Sequence, residues 1–240
     1  MTAWSALVPQ RPPPCVTDDL PDAVTRATKV ISASLGISFD AQVVQELEGV
    51  VAALRDPGPF LTYIHGDACP DNAVLTARGI RLIDFQSGGF GHCLYDAAYL
   101  HVPWPTCWCD ADMPAHVVKN AEQVYRTTLA PVVPEVLDDL LYRRALAQVV
   151  AAHLVWMLAN LLPLALNTER TATQLIYRGV RRPTRRQQVV QRLDRFALVG
   201  DAGGGVSALV RLSEELAAGL RRRWPEDTAA IDLFPAFQLR

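Results

Sequence analysis

Residues Ala145 to Leu166, ALAQVVAAHLVWMLANLLPLAL, run for 22 positions without a charged side chain. At a helical rise of about 1.5 Å per residue such a run is long enough for a bilayer core of about 30 Å, so it is either a membrane span or the central helix of an α-domain. It carries Gln148, His153, Asn160 and Pro163. Polar groups are costly in hydrocarbon, whereas a helix apolar on every side is what the middle of a helical domain requires. The segment is therefore read as a buried core helix, and no membrane partner is expected.

The rest of the chain supplies partners for such a helix. DAVTRATKVISASLG places Val24, Ala27, Val30, Ile31 and Leu35 at helical spacing and ends on Gly36, a fitting residue just past a helix. DAQVVQELEGVVAALRDPG repeats the pattern with Asp40 as N-cap, a stripe of Val43, Val44, Leu47, Val50, Val51 and Leu54, and Pro57-Gly58 as the stop. AHVVKNAEQVYRTTL, one long segment from Pro134 through Leu166, an Arg-rich amphipathic stretch and VSALVRLSEELAAGLRRRW complete a mainly helical series. DAGGGVS, Asp201 to Ser207, is read as a short flexible linker. Residues 1–19 form a Pro-rich arm with Pro12, Pro13 and Pro14, and 20–240 a single domain.

Composition narrows the partners. The formal net charge of −2 gives no reason to expect nucleic acid. Cys15, Cys69, Cys93, Cys107 and Cys109 have no framework spacing, and the first residues lack a basic and then apolar leader. A reducing, cytoplasmic location is the expectation.

Within this helical chain sits one β-forming stretch, YIHGDACPDNAVLTARGIRLIDFQ, from Tyr63 to Gln86. FLTYI reads as a strand entering His65-Gly66, and NAVLTARGIRLIDF as a hairpin turning at Gly79. QSGGFGH after it reads as a Gly-containing loop. The fold class is thus α+β, mainly α. Asp67, Asn72 and Asp84 have the residue types to hold a divalent cation and poise a hydroxyl. Mg²⁺ takes oxygen ligands, commonly one or two carboxylates plus phosphate and water, so Asn72 and Asp84 suit a sparse protein share and Asp67 is left as the base. Each alone is equally a turn residue, because Asp and Asn favour turns for local reasons.

HGDACPDN, then LIDFQ, then YDAAYL resemble the aminoglycoside phosphotransferase and choline kinase superfamily, whose fold is protein-kinase-like. The kinase pattern has an Asp base, an Asn five residues on and a metal-binding Asp before Phe; Asp67, Asn72, Asp84 and Phe85 match it, with His65-Gly66-Asp67 in place of His-Arg-Asp. The resemblance implies a C-terminal kinase-like lobe whose small β-hairpin carries the catalytic loop. It further implies ATP and Mg²⁺ as cofactors, a small-molecule hydroxyl as acceptor, Asp67 as catalytic base, Asn72 and Asp84 as metal and nucleotide ligands, and His65 and Asp96 as supports of the loop. It covers Leu61 to Leu100 closely and the later helices only in general character.

The family's N-terminal lobe, with its phosphate-covering loop and strand lysine, has no counterpart in the roughly sixty residues before His65. Lys29, the single lysine there, lies in a helical pattern. The expectations left open are a longer natural enzyme, a second chain supplying that half, or a non-catalytic binding lobe. Self-association or a partner covering the bared face would follow.

Three other stretches have competing readings. HVPWPTCWCD offers Cys107 and Cys109, with Cys93, His92, His101 or His116, as soft metal ligands, but no second paired-ligand motif accompanies them. Packing over the site is the simpler reading, with Trp104 and Trp108 as pocket walls and Asp110, Asp112 and Glu122 as charge for a cationic acceptor. Arg178 to Arg195 carries seven arginines, read as the solvated face of an amphipathic helix whose apolar side is Val189, Val190, Leu193 and Phe196, with an anionic ligand as the alternative.

Overall fold

The computed structural model describes residues 19–102, 110–167, 176–177, 180–181 and 183–238. In chain order its elements are α1 (Leu20–Leu35), α2 (Ala41–Arg55), β1 (Leu61–Ile64), β2 (Ala73–Thr76), β3 (Gly79–Leu82), β4 (Gly89–His92), α3 (Leu94–Ala97), α4 (Ala115–Leu129), α5 (Asp139–Asn160), α6 (Leu162–Leu166), β5 (Ile176–Tyr177), β6 (Val180–Arg181), α7 (Arg185–Gly203) and α8 (Ser207–Arg223). It is a mainly helical α+β fold.

Helix starts follow the side chains that can hold the first free N–H groups. Asp40 accepts from Val43 N–H at 2.8 Å, Asp138 accepts from Leu141 N–H at 2.9 Å, and Thr184 with Gln187 makes a reciprocal capping box on α7. α1 ends at Gly36, whose left-handed φ of 67° lets its N–H return to Ser32 O. α8 has no cap of its own; the Glu46 carboxylate of α2 reaches across to accept from Ala208 N–H at 3.0 Å and Leu209 N–H at 2.8 Å. A negative group at a helix N-terminus also suits the helix dipole.

α5 is the axis of the core. It packs against α7, α1 and α2, and Val149, Val150, Met157 and Leu158 are among its buried residues. The apolar side of α7, Val189, Val190, Leu193 and Phe196, is buried against it as its spacing requires. Each such large side chain contributes about 1.5–3 kcal/mol, so this contact anchors the fold. Among the described residues no helix is long and apolar enough to cross a membrane.

Four expectations are corrected. The apolar run is two helices, since Pro163 has no N–H and its ring crowds the carbonyl one turn earlier; α5 stops at Asn160, and Pro163 sits in the first turn of α6. The Gly-rich stretch after Asp84 holds β4, because antiparallel pairing with β1, Tyr63 opposite Phe90 and Ile64 opposite Gly89, overrides the low strand propensity of glycine. DAGGGVS is helix at both ends: α7 continues to Gly203, where a Cβ would collide with the Arg143 carbonyl and come within 2.7 Å of Ala147 Cβ, so this glycine serves close helix packing, and the link to α8 is only residues 204–206. Val44 lies on the exposed side of α2.

The Arg-rich stretch departs furthest from a solvated face. Arg192 is 1% exposed and donates to Asp110 Oδ2 at 2.9 Å, itself buried. Arg186 bonds Asp227 at 2.7 Å and stacks over Trp224. Burial pushes the Asp110 carboxyl up to about 6 despite the Arg192 charge, and pushes the Arg192 guanidinium below its ordinary value.

Candidate active site

β1 delivers the chain to His65 and Gly66, whose backbone N–H groups both point at one carboxylate. His65 N–H donates to Asp96 Oδ2 at 2.7 Å and Gly66 N–H to Asp96 Oδ1 at 2.9 Å. Asp96 sits in α3, immediately after β4, so the β1–β4 pairing carries the carboxylate to the loop it clamps. Burial raises its carboxyl above the ordinary range, against the two N–H bonds that favour the ionised form. Gly66 takes φ 77°, a value that a side chain would make costly, and the chain turns there into Asp67.

Asp67 is held at both carboxylate oxygens. Asn72 Nδ2 donates to Oδ2 at 3.0 Å and to the Asp67 carbonyl at 3.0 Å, and Tyr99 Oη donates to Oδ1 at 3.2 Å. Asn72 is buried in the short 3-10 turn Pro70–Asn72, and with its amide nitrogen engaged its side-chain oxygen is the atom left to meet a cation. Tyr99 is buried and meets the His153 ring edge-on, with centroids 5.4 Å apart. His153 Nε2 lies 3.2 Å from Tyr95 O, which can only accept, so this nitrogen carries the proton; burial pushes the ring's pKa down to about 4 and keeps it neutral.

Asp84 is tied to the same loop through its neighbour. Ile83 N–H donates to Asn72 O at 2.9 Å, and Ile83 O accepts from His65 Nε2 at 2.8 Å. His65 is thereby fixed as the Nε2–H tautomer, its Nδ1 accepting from Asp67 N–H at 3.3 Å. The β2–β3 hairpin, with Thr76 opposite Gly79, brings Ile83 back to Asn72. Asp84 follows in left-handed geometry, φ 62° and ψ 59°, the one positive φ outside glycine among the described residues. Such a backbone costs about 1–3 kcal/mol and persists where the surroundings impose it. Its carboxylate is exposed, and the Phe85 ring rests on the His65 ring at 4.5 Å between centroids.

The structure thus gathers Asp67, Asn72, His65 and Asp96 into one bonded loop and sets Asp84 beside it. Tyr99 is the residue that sequence reasoning passed over. It lies three residues after Asp96, a spacing that puts two side chains on one side of a helical turn. Trp104, Trp108, Cys107 and Cys109 lie outside the described residues. Asp110 does not offer charge to an acceptor, because its carboxylate is buried against Arg192. Asp112 is likewise bonded to Arg195, and Glu122 Oε2 stands 3.2 Å from His101 Nε2. Cys93 is a buried thiol that burial pushes up to about 12, whereas Cys69 is disulfide-bonded, which departs from the expected set of reduced thiols. Among the described residues no group of three or more His, Cys, Asp or Glu is placed to hold a metal ion.

The sequence pattern of the phosphotransferase enzyme family, APH, matches residues 8–131, just over half of the chain. No curated protein matches it.

Proposed function

The chain belongs to the phosphotransferase enzyme family, and from that membership we propose an ATP- and Mg²⁺-dependent O-phosphotransferase that acts on a small-molecule hydroxyl. The observation that carries the reading is the Asp67 carboxylate, held at one oxygen by Asn72 and at the other by Tyr99 on a loop clamped by Asp96. The surrounding residues suit a C-terminal kinase-like lobe.

In this reading Asp67 orients the acceptor hydroxyl and takes its proton as the new O–P bond forms and the bond to the ADP leaving group breaks. The donor set fits Mg²⁺: the Asn72 amide oxygen and the Asp84 carboxylate are hard oxygen ligands in the small number this ion takes from protein. The ion would neutralise charge on the phosphates when bound. Asn72 would have two tasks, its nitrogen fixing Asp67 and its oxygen serving as a ligand when the cation is bound. His65 and Asp96 hold the loop rigid, and rigid support is what positioning catalysis requires.

A covering element is part of the proposal. Val74, Leu75, Ile80, Leu82, Ile83 and Phe85 are exposed on and just after the hairpin. Among the described residues only α1, α2 and a short 3-10 turn, Gly58–Phe60, precede β1. A neighbouring polypeptide or a second copy over this face would exclude water from the phosphates and strengthen charge stabilisation there. The same exposed face favours a second reading, a non-catalytic nucleotide-binding lobe.

Calorimetry of ATP with and without Mg²⁺, on the chain and on Asp84→Ala, is the first test, followed by transfer from ATP to a panel of small alcohols. The reading expects Mg²⁺-dependent binding lost in Asp84→Ala and transfer lost in Asp67→Asn. Binding without transfer in either protein supports the binding lobe, and absence of binding by the folded chain removes both.

A further inference from the structure

A cavity of about 290 Å³ opens between α4, α5 and α7, near the small end of the range for ligand pockets. One wall is apolar, from Met113, Val118, Leu146, Leu198 and Val199. The other carries charge of both signs: Asp112 and Glu122 against Lys119, Arg143 and Arg195.

The carboxylates are already engaged. Both Asp112 oxygens accept from Arg195 Nη2. His101 Nε2 stands 3.2 Å from Glu122 Oε2, and this contact holds the Glu122 carboxyl below its ordinary range. Lys119 and Arg143 make no ion pair within 4 Å among the described residues, so the lining retains cationic groups and no carboxylate without a partner. A cationic ligand would have to displace Arg195 or His101 to find an anion. An anionic one finds two cations beside an apolar wall.

We propose that this cavity binds a small amphipathic anion, an apolar body bearing one carboxylate, with Lys119 and Arg143 receiving the carboxylate and Leu146 and Leu198 the body. The cavity adjoins the candidate active site along the chain: Leu100 and His101 on its lining follow Tyr99, and Met113 packs against the buried pair Cys69 and Tyr99. Binding here needs no phosphoryl transfer, so the inference stands or falls apart from the phosphotransferase reading.

Phenylacetate, uncharged phenylacetamide and cationic phenethylamine share one body and differ in charge. Calorimetry of each with the full chain, without ATP, is the test. Phenylacetate is expected to bind and phenylacetamide to bind at least about tenfold more weakly, as loss of charge-assisted bonds implies. Lys119→Gln/Arg143→Gln should weaken phenylacetate by about tenfold or more, while Asp67→Asn leaves it unchanged. Both replaced residues are exposed, so the double variant keeps its core, and its circular dichroism should match that of the parent. Absence of phenylacetate binding, equal or tighter binding of phenethylamine, or an unchanged affinity in the double variant overturns the proposal.

Discussion

Tyr99 Oη donates to Asp67 Oδ1 across 3.2 Å, on the carboxylate oxygen that Asn72 leaves open. Both donors follow Asp67 in the sequence, one five residues on and one 32 residues on, in the turn after α3. Together they fix the plane of the carboxylate. Tyr99→Phe keeps the buried ring and removes only the donor. Its expected effect is a fall in kcat for phosphoryl transfer of about tenfold, with the KM for ATP little changed, against about 10²-fold or more for Asp67→Asn. Steady-state kinetics of the two variants check it.

Asp96 leaves a different signature. Asp96→Ala strands the buried N–H groups of His65 and Gly66, an expected loss of about 2–5 kcal/mol of stability, whereas Asp96→Asn keeps an acceptor and loses less. Urea denaturation gives the totals. Amide hydrogen exchange at residues 65 and 66 should quicken first in the alanine variant.

The left-handed Asp84 backbone separates stability from binding. A Cβ is unfavourable there and glycine is not, so Asp84→Gly is expected to be more stable than Asp84→Ala by about 1 kcal/mol. Both should lose Mg²⁺-dependent ATP binding. Thermal unfolding with and without Mg²⁺-ATP reads both quantities in one experiment.

His153 gives a pH dependence with a definite sign. Its folded pKa is pushed down to about 4 by burial, below the ordinary 6.5, so the unfolded chain takes up its proton first. The stability it contributes is complete above about pH 6.5 and is lost as pH falls toward 4, at about 1.4 kcal/mol per pH unit. Asp110, raised to about 6, acts in the opposite direction, its share being complete below the ordinary 3.8 and lost as pH rises through 6. The informative quantity is therefore the difference between the parent and His153→Gln. The parent should lose about 3 kcal/mol more than the variant between pH 6.5 and 4, measured by denaturant unfolding.

Glu46 can be tested without any ligand. Removing its carboxylate in Glu46→Ala frees the first N–H groups of α8, with an expected cost of about 1–2 kcal/mol, and Glu46→Gln should recover part of it. Equilibrium urea unfolding measures both.

These residues also mark what the sequence could disclose. Caps at Asp40 and the turn at Gly79 were legible, because each depends on atoms within a few positions. So was the grouping of Asp67 with Asn72, five residues apart and bonded through that short turn. β4 was hidden, since its glycines have little strand preference and gain it only from β1, more than twenty residues earlier. The burial of Arg192 was hidden as well, its partner Asp110 being 82 positions away. Tyr99 lay between these cases: its spacing from Asp96 was visible, but its reach to Asp67 depends on the loop's return path.

Ile83 has its side chain half in solvent while its N–H and carbonyl are both committed, to Asn72 and to His65. A saturation library at this codon should accordingly look permissive, with polar, charged and aromatic replacements all retaining the bonded loop. Proline alone would fall out, because it has no hydrogen to give Asn72. Position 83 thus serves the bonded loop through its main chain and not through its side chain.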